Sequence, residues 1–417
     1  MKLYNTLSQE IEDFTLDDDE VTLYVCGITP YDTTHLGHAF TYASADVLAR
    51  FLEYRGHKVL YVQNVTDIDD DIVRKAKELQ QEVEDVVNQW TSHFIHDMIM
   101  LNVRPPDYFP KASEVIPEII EWVEQLIVAG VGYESGGSVY FDTNDYSDFG
   151  KLCCLPREEM LPIANERGNI PDDPNKRDPL DFVLWQAEKP GEPSWDSPWG
   201  SGRPGWHIEC STLAGRYLGQ TVDVHMGGTD LIFPHHESEI AQVEPLQKGK
   251  PFVRYWAHVA MVHHEGEKMS KSLGNLVMVR NLLERFTPDA IRLYLASHHY
   301  RQVWSYNEDH LKSAQRFADR LSASMESKNG SGAAVEFEDL EARFGEALEQ
   351  DLDTPLAIEM LGKLGERLLK GGNGADARQA MRRMGSIFGL RLDRPNPDRP
   401  VADGWREHLQ KFEPDKD

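Results

Sequence analysis

The hydrophobic pattern near the N-terminus predicts a strand, a helix and a second strand. The stretch VTLYVCG at 21–27 places valine and leucine at alternate positions, as the two faces of a strand require. A helix-like run extends over 36–54, and the β-branched run KVLYVQNVTD at 58–67 predicts the next strand. This order is a βαβ unit, which predicts a parallel sheet with ligands at the carboxyl ends of its strands.

Beyond this unit the pattern predicts a largely helical chain with one irregular insertion. Residues 68–130 have helical, mostly amphipathic spacing, whereas 131–205 are rich in Gly, Pro and Asp, which predicts hairpins and loops. Strands and helices resume after Cys210, and the pattern is helical beyond Thr287. The polar stretch from Asn396 onward predicts a flexible tail.

Composition narrows the class of protein. The 417 residues include 70 Asp and Glu against 43 Lys and Arg, a net charge of −27. Such acidity argues against a protein whose main surface is a nucleic-acid-binding surface, although a local basic patch stays possible. Four cysteines are too few for a disulfide framework, and they favour a reducing compartment. We find no targeting segment and no apolar run of membrane-spanning length, so we predict a cytoplasmic protein.

The tetrapeptide HLGH at 35–38 is placed to open a helix just after the first strand. A helix N-terminus presents unpaired N–H groups and a positive dipole, which suit a phosphate. Gly37 would let a nucleotide approach the backbone, and His35 and His38 share one helix face. Taken alone, the tetrapeptide favours two ordinary surface histidines, because short motifs recur by chance.

A second motif, KMSKS at 268–272, places Lys268 and Lys271 in a Ser- and Gly-rich loop. Two mobile lysines can neutralise a polyphosphate, and the alternative is a solvated lysine loop. In this order along the chain, the two motifs together resemble the signature pair of class I aminoacyl-tRNA synthetases.

Candidate metal ligands are scattered at Cys26, Cys210, His235 and Glu239. His235 and Glu239 are four residues apart, so on a helix they project to one side. Two thiolates, an imidazole and a carboxylate make a plausible tetrahedral zinc set. The spacings alone do not outweigh the alternative, a buried small cysteine and a surface His-His-Glu run.

Longer segments carry a family resemblance. The chain resembles the cysteine-activating class I ligases in YVCGITPYDTTHLGHAFTYASADVLARF, YVQNVTDIDD, KRDPLDFVLW, GRPGWHIECS, GGTDLIFPHHESEIAQ and GEKMSKSLGN. These ligases are cysteinyl-tRNA synthetase and the shorter mycothiol-pathway ligase that joins cysteine to glucosaminyl-inositol. The resemblance runs from about residue 1 to residue 395. It implies an α/β fold, with a Rossmann-like parallel-sheet catalytic domain of class I synthetases, an insertion and a C-terminal helical bundle.

We therefore predict a catalytic nucleotide-binding domain with a zinc site at 1–285, interrupted by the insertion at about 131–205. A helical bundle domain would follow at 286–395 and a flexible tail at 396–417, with no anticodon-binding domain. The implied reaction is attack of the cysteine carboxylate on the ATP α-phosphate, which gives cysteinyl-AMP and pyrophosphate, and then transfer of the cysteinyl group to an acceptor.

The resemblance also implies roles for individual residues. One zinc ion per chain would be held by Cys26, Cys210 and His235, and Glu239 is a possible fourth ligand. The ion would select cysteine over serine by binding the thiol of the substrate cysteine. ATP, with Mg²⁺, would be bound by the catalytic residues His35, His38, Lys268 and Lys271. The positions expected around the adenylate are Gly27, Ile28, Thr29, Thr41, Asn64, Val65, Thr66, Trp206, Gly228, Thr229, Asp230 and Val262.

Several features favour the mycothiol branch and an aminosugar acceptor. The resemblance to that branch lies in Ile28 and Pro30, in ERGNIP at 166–171 and in GNLVMV at 274–279. The chain also ends near Asp417 without the cationic surface that reading an anticodon would need. We therefore predict an ATP-dependent ligase that transfers cysteine to the amine of an aminosugar such as glucosaminyl-inositol.

Two alternatives stay open. Glu239 within HHESEIAQ resembles the synthetase, and Asn169 and Ile170 depart from the mycothiol branch, so the protein could instead charge tRNA(Cys). It could also be an inactive paralogue that senses cysteine or a nucleotide. The predicted partners are L-cysteine, ATP and an aminosugar, with tRNA less favoured and no membrane, and we expect a monomer.

Overall fold

The computed structural model describes residues 1–16, 19–31, 34–247, 249–269, 274–327, 333–394 and 396–413. Lys271, which the KMSKS motif assigns to ATP, lies outside the described residues. The strands are β1 (Lys2–Asn5), β2 (Glu10–Asp13), β3 (Glu20–Ile28), β4 (Lys58–Val65), β5 (Gly132–Ser135), β6 (Ser138–Phe141), β7 (Phe182–Ala187), β8 (Gly202–Pro204), β9 (Val222–Gly228), β10 (Val253–Val259), β11 (Val262–His264), β12 (Glu267–Lys268) and β13 (Trp304–Ser305).

The helices are α1 (Leu36–Tyr54), α2 (Asp70–Leu79), α3 (Val83–Met100), α4 (Ile116–Val128), α5 (Arg157–Glu166), α6 (Trp206–Leu218), α7 (Glu237–Val243), α8 (Val279–Leu283), α9 (Pro288–Ala296), α10 (Glu308–Glu326), α11 (Glu338–Glu349), α12 (Thr354–Leu369), α13 (Ala375–Ile387) and α14 (Arg399–Leu409). Among the described residues, none of these helices is both long and apolar enough to cross a membrane.

A four-stranded parallel sheet in the order β10-β9-β3-β4 forms the centre of the protein. In β3, Val21, Leu23 and Val25 pack in one buried cluster together with α1. Tyr24 and Cys26, at the intervening positions, pack in a second cluster together with α6. The period-two pattern therefore reflects a strand covered on both faces, and the predicted α/β fold is confirmed.

The insertion carries its own sheet, beside the parallel one. Strands β5, β6, β7 and β8 pair in that order, and every pair is antiparallel. Helix α5 lies between β6 and β7 and packs through Met160 and Ala164 against Leu180 and Phe233. Because Phe233 precedes His235 by only two residues, the insertion is packed directly against one of the segments that build the site.

A buried ionic cluster joins α1 to α9. The Asp46 carboxylate accepts hydrogen bonds from Arg50 Nε at 2.7 Å and from an Arg292 terminal nitrogen at 2.5 Å. Burial raises the pKa of Asp46, but the charges of Arg50 and Arg292 outweigh it, so the pKa is lowered. The Asp46 carboxylate is therefore compensated by two arginines rather than buried alone. Because Asp46 lies on α1 and Arg292 on α9, the pair also fixes these two helices to each other.

Where a flexible tail was expected, residues Arg399–Leu409 form α14, and that expectation is corrected. Trp405 is only 1% exposed and donates its indole N–H to the Val103 carbonyl oxygen at 2.7 Å. Its ring also meets the edge of Phe109 at 5.6 Å between centroids. In the sequence, charged residues surround the apolar positions of this helix, which is why the segment resembles a flexible tail. The apolar positions become buried only when the folded chain places them against α3 and the segment after it.

Candidate active site and metal centre

The site lies at the carboxyl ends of the parallel strands, as the βαβ pattern predicts. Gly27 and Ile28 end β3, and Thr29 follows them; Asn64 and Val65 end β4, with Thr66 next in the chain. Gly228 ends β9, and Thr229 and Asp230 form the turn after it. Val262, which begins β11, is buried and pairs with Trp304. The structure therefore places the expected positions that follow β3, β4 and β9 on neighbouring strand ends.

Four buried donor groups from distant parts of the chain meet at this edge. One donor atom from each of Cys26, Cys210, His235 and Glu239 lies within 4.8 Å of all the others. His235 Nε2 is 3.1 Å from Glu239 Oε1, and the same oxygen is 3.8 Å from Cys26 Sγ. Two sulfurs, an imidazole nitrogen and a carboxylate oxygen at this spacing fit a tetrahedral zinc ion.

A second donor set overlaps the first. Cys26 and Glu239 also lie within 4.8 Å of donor atoms from His225 and His236. His236 Nε2 is 3.1 Å from Cys26 Sγ, and His225 Nε2 is 2.9 Å from Glu239 Oε2. The two sets share a thiol and a carboxylate, so a single ion cannot take both arrangements fully.

Burial sets the protonation of these groups. It lowers the pKa of His235 and of His236 well below 6.5 and so favours neutral rings with a lone pair for a metal. Burial also raises the pKa of Cys26, to which the neighbouring Cys210 and Glu239 contribute. The pKa of Glu239 is likewise raised by burial. Acidic groups packed together away from water are the environment that a divalent cation stabilises.

Sequence reasoning missed the ring of histidines behind these donors. His207 Nδ1 is 2.9 Å from His235 Nδ1, and His236 Nδ1 is 2.7 Å from His258 Nε2. His258 in turn lies 2.7 Å from the Thr6 hydroxyl. The residues come from different strands and helices, and an isolated histidine in a sequence is uninformative. The only available signals were WHIECS, which places one histidine beside Cys210, and the strand DVHMGG.

Glu237 was also missed as an anchoring residue. Its fully buried carboxylate accepts backbone N–H groups from Gly150 at 2.8 Å, Leu152 at 2.9 Å and Cys153 at 3.0 Å. These bonds attach the insertion loop to the start of α7, which carries Glu239. Glu237 is therefore turned away from the donor cluster and fixes the helix that presents it.

Asn64 joins the ends of β3 and β4. Its Oδ1 accepts the Gly27 N–H at 2.8 Å, and its Nδ2 donates to the Thr66 hydroxyl at 3.1 Å. A Cβ on residue 27 would lie 1.5 Å from the Asn64 carbonyl oxygen, so only glycine permits this approach. The glycine therefore lets β4 lie against β3 at the residue that follows Cys26.

The first predicted phosphate motif forms the N-terminus of α1. His35 is the residue before the helix, and its Nδ1 accepts the backbone N–H groups of Gly37 at 3.1 Å and His38 at 3.4 Å. The rings of His35 and His38 stack with centroids 3.7 Å apart. Within the same helix, the Thr41 hydroxyl donates to the Gly37 carbonyl oxygen at 3.3 Å. Because Nδ1 of His35 accepts, its ring proton is on Nε2, which can donate to a phosphate.

The structure brings the two ATP motifs together. Leu36 donates its N–H to the Val277 carbonyl oxygen at 2.8 Å, and Val279 donates to the Thr34 carbonyl oxygen at 3.0 Å. The chain that follows the KMSKS segment is therefore attached to the start of α1. Lys268, the first residue of that segment, places its Nζ 3.5 Å from Asp230 Oδ2.

Trp206 covers the donor cluster from the insertion side. It begins α6, is half-buried, and stacks on His235 with ring centroids 4.5 Å apart. A flat aromatic surface beside two thiols forms an apolar wall against which a small substrate side chain can be held. Every described residue among the predicted ligands and adenylate positions therefore belongs to this edge of the sheet or to an element packed against it.

A family comparison and curated relatives agree on what the chain resembles. Residues 13–316 match the family of tRNA synthetases class I (C) catalytic domains. A cysteine–tRNA ligase of Dehalococcoides mccartyi is 43% identical over 400 residues, which cover 94% of this chain and 86% of that protein. The cysteine–tRNA ligase of Pyrococcus abyssi is 48% identical over 316 residues, which cover 76% and 65%.

Solved structures share the fold at low sequence identity. Methionyl-tRNA synthetase of Mycobacterium tuberculosis with methionyl-adenylate superimposes with a TM-score of 0.62 at 17% identity, covering 94% of this chain and 93% of that one. A LeuRS–tRNA ternary complex of Agrobacterium radiobacter gives 0.63 at 11% identity, covering 97% and 86%. These similarities support the class I synthetase fold alone.

The comparisons overturn the predicted acceptor. The relatives that match along most of the chain are named as cysteine–tRNA ligases, which supports the alternative of tRNA(Cys), so the prediction of an aminosugar ligase in mycothiol biosynthesis is wrong. That prediction depended on short segments such as ERGNIP at 166–171, whose few positions carry little information beside an alignment of 400 residues.

Proposed function

This chain belongs to the family of class I (C) tRNA synthetase catalytic domains, and we propose that it is an ATP-dependent ligase that activates L-cysteine and transfers it to tRNA. The single observation that carries the choice of amino acid is the buried donor set of Cys26, Cys210, His235 and Glu239 at the strand ends. The choice of acceptor is supported by the relatives, which are named for tRNA.

The donor set suits one zinc ion held by Cys26, Cys210, His235 and Glu239. When bound, zinc would supply a soft Lewis acid for the substrate thiol, and a serine hydroxyl cannot replace that bond. Around it, Trp206 walls the pocket, and His225 contacts the second oxygen of Glu239 at 2.9 Å. Such outer contacts orient a ligating carboxylate, so the chain presents a rigid pocket for a small thiol.

Activation requires the cysteine carboxylate and ATP to meet beside the first strand. The carboxylate oxygen bonds to the α-phosphorus, the bond from that phosphorus to the pyrophosphate oxygen breaks, and cysteinyl-AMP remains. The chain supplies position and charge for this in-line step. His35, with its ring proton on Nε2, and the dipole of α1 face the phosphates, and Lys268 adds mobile positive charge.

Transfer then requires a hydroxyl at the end of tRNA to attack the cysteinyl carbonyl. The new ester bond forms between that hydroxyl oxygen and the carbonyl carbon, and the bond from this carbon to the AMP phosphate oxygen breaks. The hydroxyl proton passes to the released phosphate or to water. No covalent intermediate on the chain is needed, because the adenylate itself carries the activated cysteinyl group.

The test measures both half-reactions on the purified protein. We expect ATP–pyrophosphate exchange that depends on cysteine and not on serine, and formation of cysteinyl-tRNA from a tRNA pool but not from the same pool after RNase treatment. Failure of both would contradict the proposal and favour a binding protein. Exchange without tRNA charging would retain cysteine activation and refute the acceptor.

A variant pair tests the ATP loop in the same assay. Lys268→Ala should lower the exchange rate by about 100-fold, since it removes charge that the transition state uses, while the KM for cysteine stays near wild type. Lys312→Ala, on α10 and with a similarly exposed side chain, is the matched control and should exchange normally.

A further inference from the structure

Asp230 is shared between two cations from separate parts of the chain. Its Oδ2 accepts a hydrogen bond from an Arg167 terminal nitrogen at 3.1 Å and lies 3.5 Å from Lys268 Nζ. Arg167 belongs to the insertion, and Lys268 ends β12 as the first residue of the KMSKS segment. In the sequence, Arg167 drew attention only as part of the segment ERGNIP at 166–171, and none of the roles assigned above includes it.

Arg167 is presented by a well-fixed support. It follows α5 directly, with its N–H donated to the Ala164 carbonyl oxygen at 2.9 Å. Ala164 packs with Phe233 in the cluster below the donor set. Asn169 continues the support by donating its Nδ2 to the Pro179 carbonyl oxygen at 3.0 Å. The guanidinium, with 30% of its side chain exposed, is therefore held over the turn that follows β9.

Asp230 is equally constrained from its own side. A Cβ on Gly228 would lie 2.5 Å from Asp230 Oδ1, so the carboxylate folds back over the end of β9. Its side chain is 26% exposed, and that of Lys268 is 43% exposed. The lysine is thus the more accessible and more flexible of the two cations, whereas the arginine fork keeps its geometry.

We infer that Arg167 is a positioning residue for the ATP-dependent step, because it holds Asp230 in place when Lys268 leaves that carboxylate for the nucleotide phosphates. The inference rests on the proposed function. With Arg167 present, the departure of Lys268 leaves Asp230 still paired. Without Arg167, Lys268 would be the only cation of these two contacts left beside Asp230. Movement of Lys268 to the phosphates would then leave a partly buried carboxylate without a cation.

The first test is Arg167→Gln in cysteine-dependent ATP–pyrophosphate exchange. We expect the kcat to fall by about tenfold, the size expected for a lost hydrogen bond between charged groups, with the KM for cysteine unchanged. Arg167→Lys should recover part of the rate. The matched control is Arg177→Gln, which breaks another ion pair of the insertion at the same 3.1 Å and should keep the wild-type kcat.

A double-mutant cycle separates positioning from general support. If Arg167 acts through Asp230, the variant Asp230→Asn with Arg167→Gln should exchange no more slowly than Asp230→Asn alone. If the two substitutions lower the exchange rate by the product of their separate effects, the inference is overturned. It is also overturned if Arg167→Gln lowers the thermal midpoint and raises the KM for cysteine while kcat stays unchanged. Absence of exchange in the wild-type protein would overturn the proposed function and the inference with it. Wild-type exchange that Arg167→Gln leaves intact would overturn the inference alone.

Discussion

Glu239 lies near three histidines, one from the first donor set and two from the second. Its Oε1 is 3.1 Å from His235 Nε2 and 4.0 Å from His236 Nε2, and its Oε2 is 2.9 Å from His225 Nε2. The set with Cys26, Cys210 and His235 contains two sulfurs, which zinc favours over a second imidazole. His225 and His236 are then better placed to orient the ligands than to bind the ion.

Two neighbouring histidines should therefore differ in their effect on the metal. His235→Ala should release zinc and abolish cysteine activation, because it removes a ligand. His236→Ala should retain one zinc ion per chain but lower the affinity for zinc by about 10–100-fold, as expected for loss of a residue that only contacts a ligand. Metal analysis of purified protein, followed by titration with a chelator, measures both. Full zinc content in the His235 variant would exclude this ligand set.

At the scale of elements, α14 shows how strongly one aromatic residue can fix a terminal helix. Trp405 lies against α3 and the segment after it, with Phe94 at 6.0 Å and Phe109 at 5.6 Å between ring centroids. Lys111 adds its ammonium 5.0 Å from the ring centre of Phe412, a cation–π contact. The helix therefore contributes to the stability of the catalytic region that it covers.

Trp405→Ala should lower the free energy of unfolding by about 3–5 kcal/mol, the usual cost of deleting a fully buried large aromatic side chain. The loss comes from the cavity and from the unpaired Val103 carbonyl. Chemical denaturation followed by circular dichroism measures it. The exposed Tyr54→Ala is the control and should change little; an equally small effect of Trp405→Ala would mean that α14 is not docked in solution.

Another element-scale feature is His298, at the end of α9. Burial lowers its pKa from 6.5 to about 4, and its ring stacks on Trp304 with centroids 3.9 Å apart. The unfolded chain therefore binds this proton near pH 6.5, whereas the folded chain binds it only near pH 4. The free energy of unfolding falls as pH decreases through this window, since the unfolded state holds more protons.

His298→Phe keeps an aromatic ring against Trp304 and removes the titrating group. We expect its unfolding free energy to decline less steeply than that of the wild type between pH 6.5 and about 4. Urea unfolding across this range measures the slope. Parallel pH profiles for the two proteins would show that His298 does not contribute to acid destabilisation.

At the scale of the whole molecule, charge constrains how tRNA can bind. The chain carries a net charge of −27, so the tRNA of the proposed function would have to contact local basic groups against an unfavourable overall field. Contacts to phosphates release counterions and make binding strongly dependent on salt. Cysteine and ATP, which the proposed function places at the strand ends, should be far less affected.

We therefore expect the KM for tRNA to rise by about tenfold or more between roughly 50 and 200 mM salt. ATP–pyrophosphate exchange without tRNA should change by less than about twofold over the same range, because buried groups are screened less. Steady-state aminoacylation and exchange at matched salt give both values. Equal salt dependence of the two half-reactions would argue that tRNA is not held through its phosphates.

Local pattern alone determined a good part of this protein. Alternation in 21–27, the helix after it and the β-branched run at 58–67 predicted a parallel βαβ unit and the edge where ligands gather. Those signals are readable because strand and helix periods depend only on neighbouring residues. Long segments such as GGTDLIFPHHESEIAQ also identified the superfamily, whereas short segments misassigned the acceptor.

Only the tertiary structure decided what depends on contacts between distant residues. It gave the spacing of Cys26, Cys210, His235 and Glu239, a set that the family resemblance had only implied. It surrounded them with further histidines and joined Arg167 to Asp230. It also turned the expected tail into the docked helix α14. None of these contacts has a period in the sequence, because each depends on the packing of whole elements and on the burial that this packing creates.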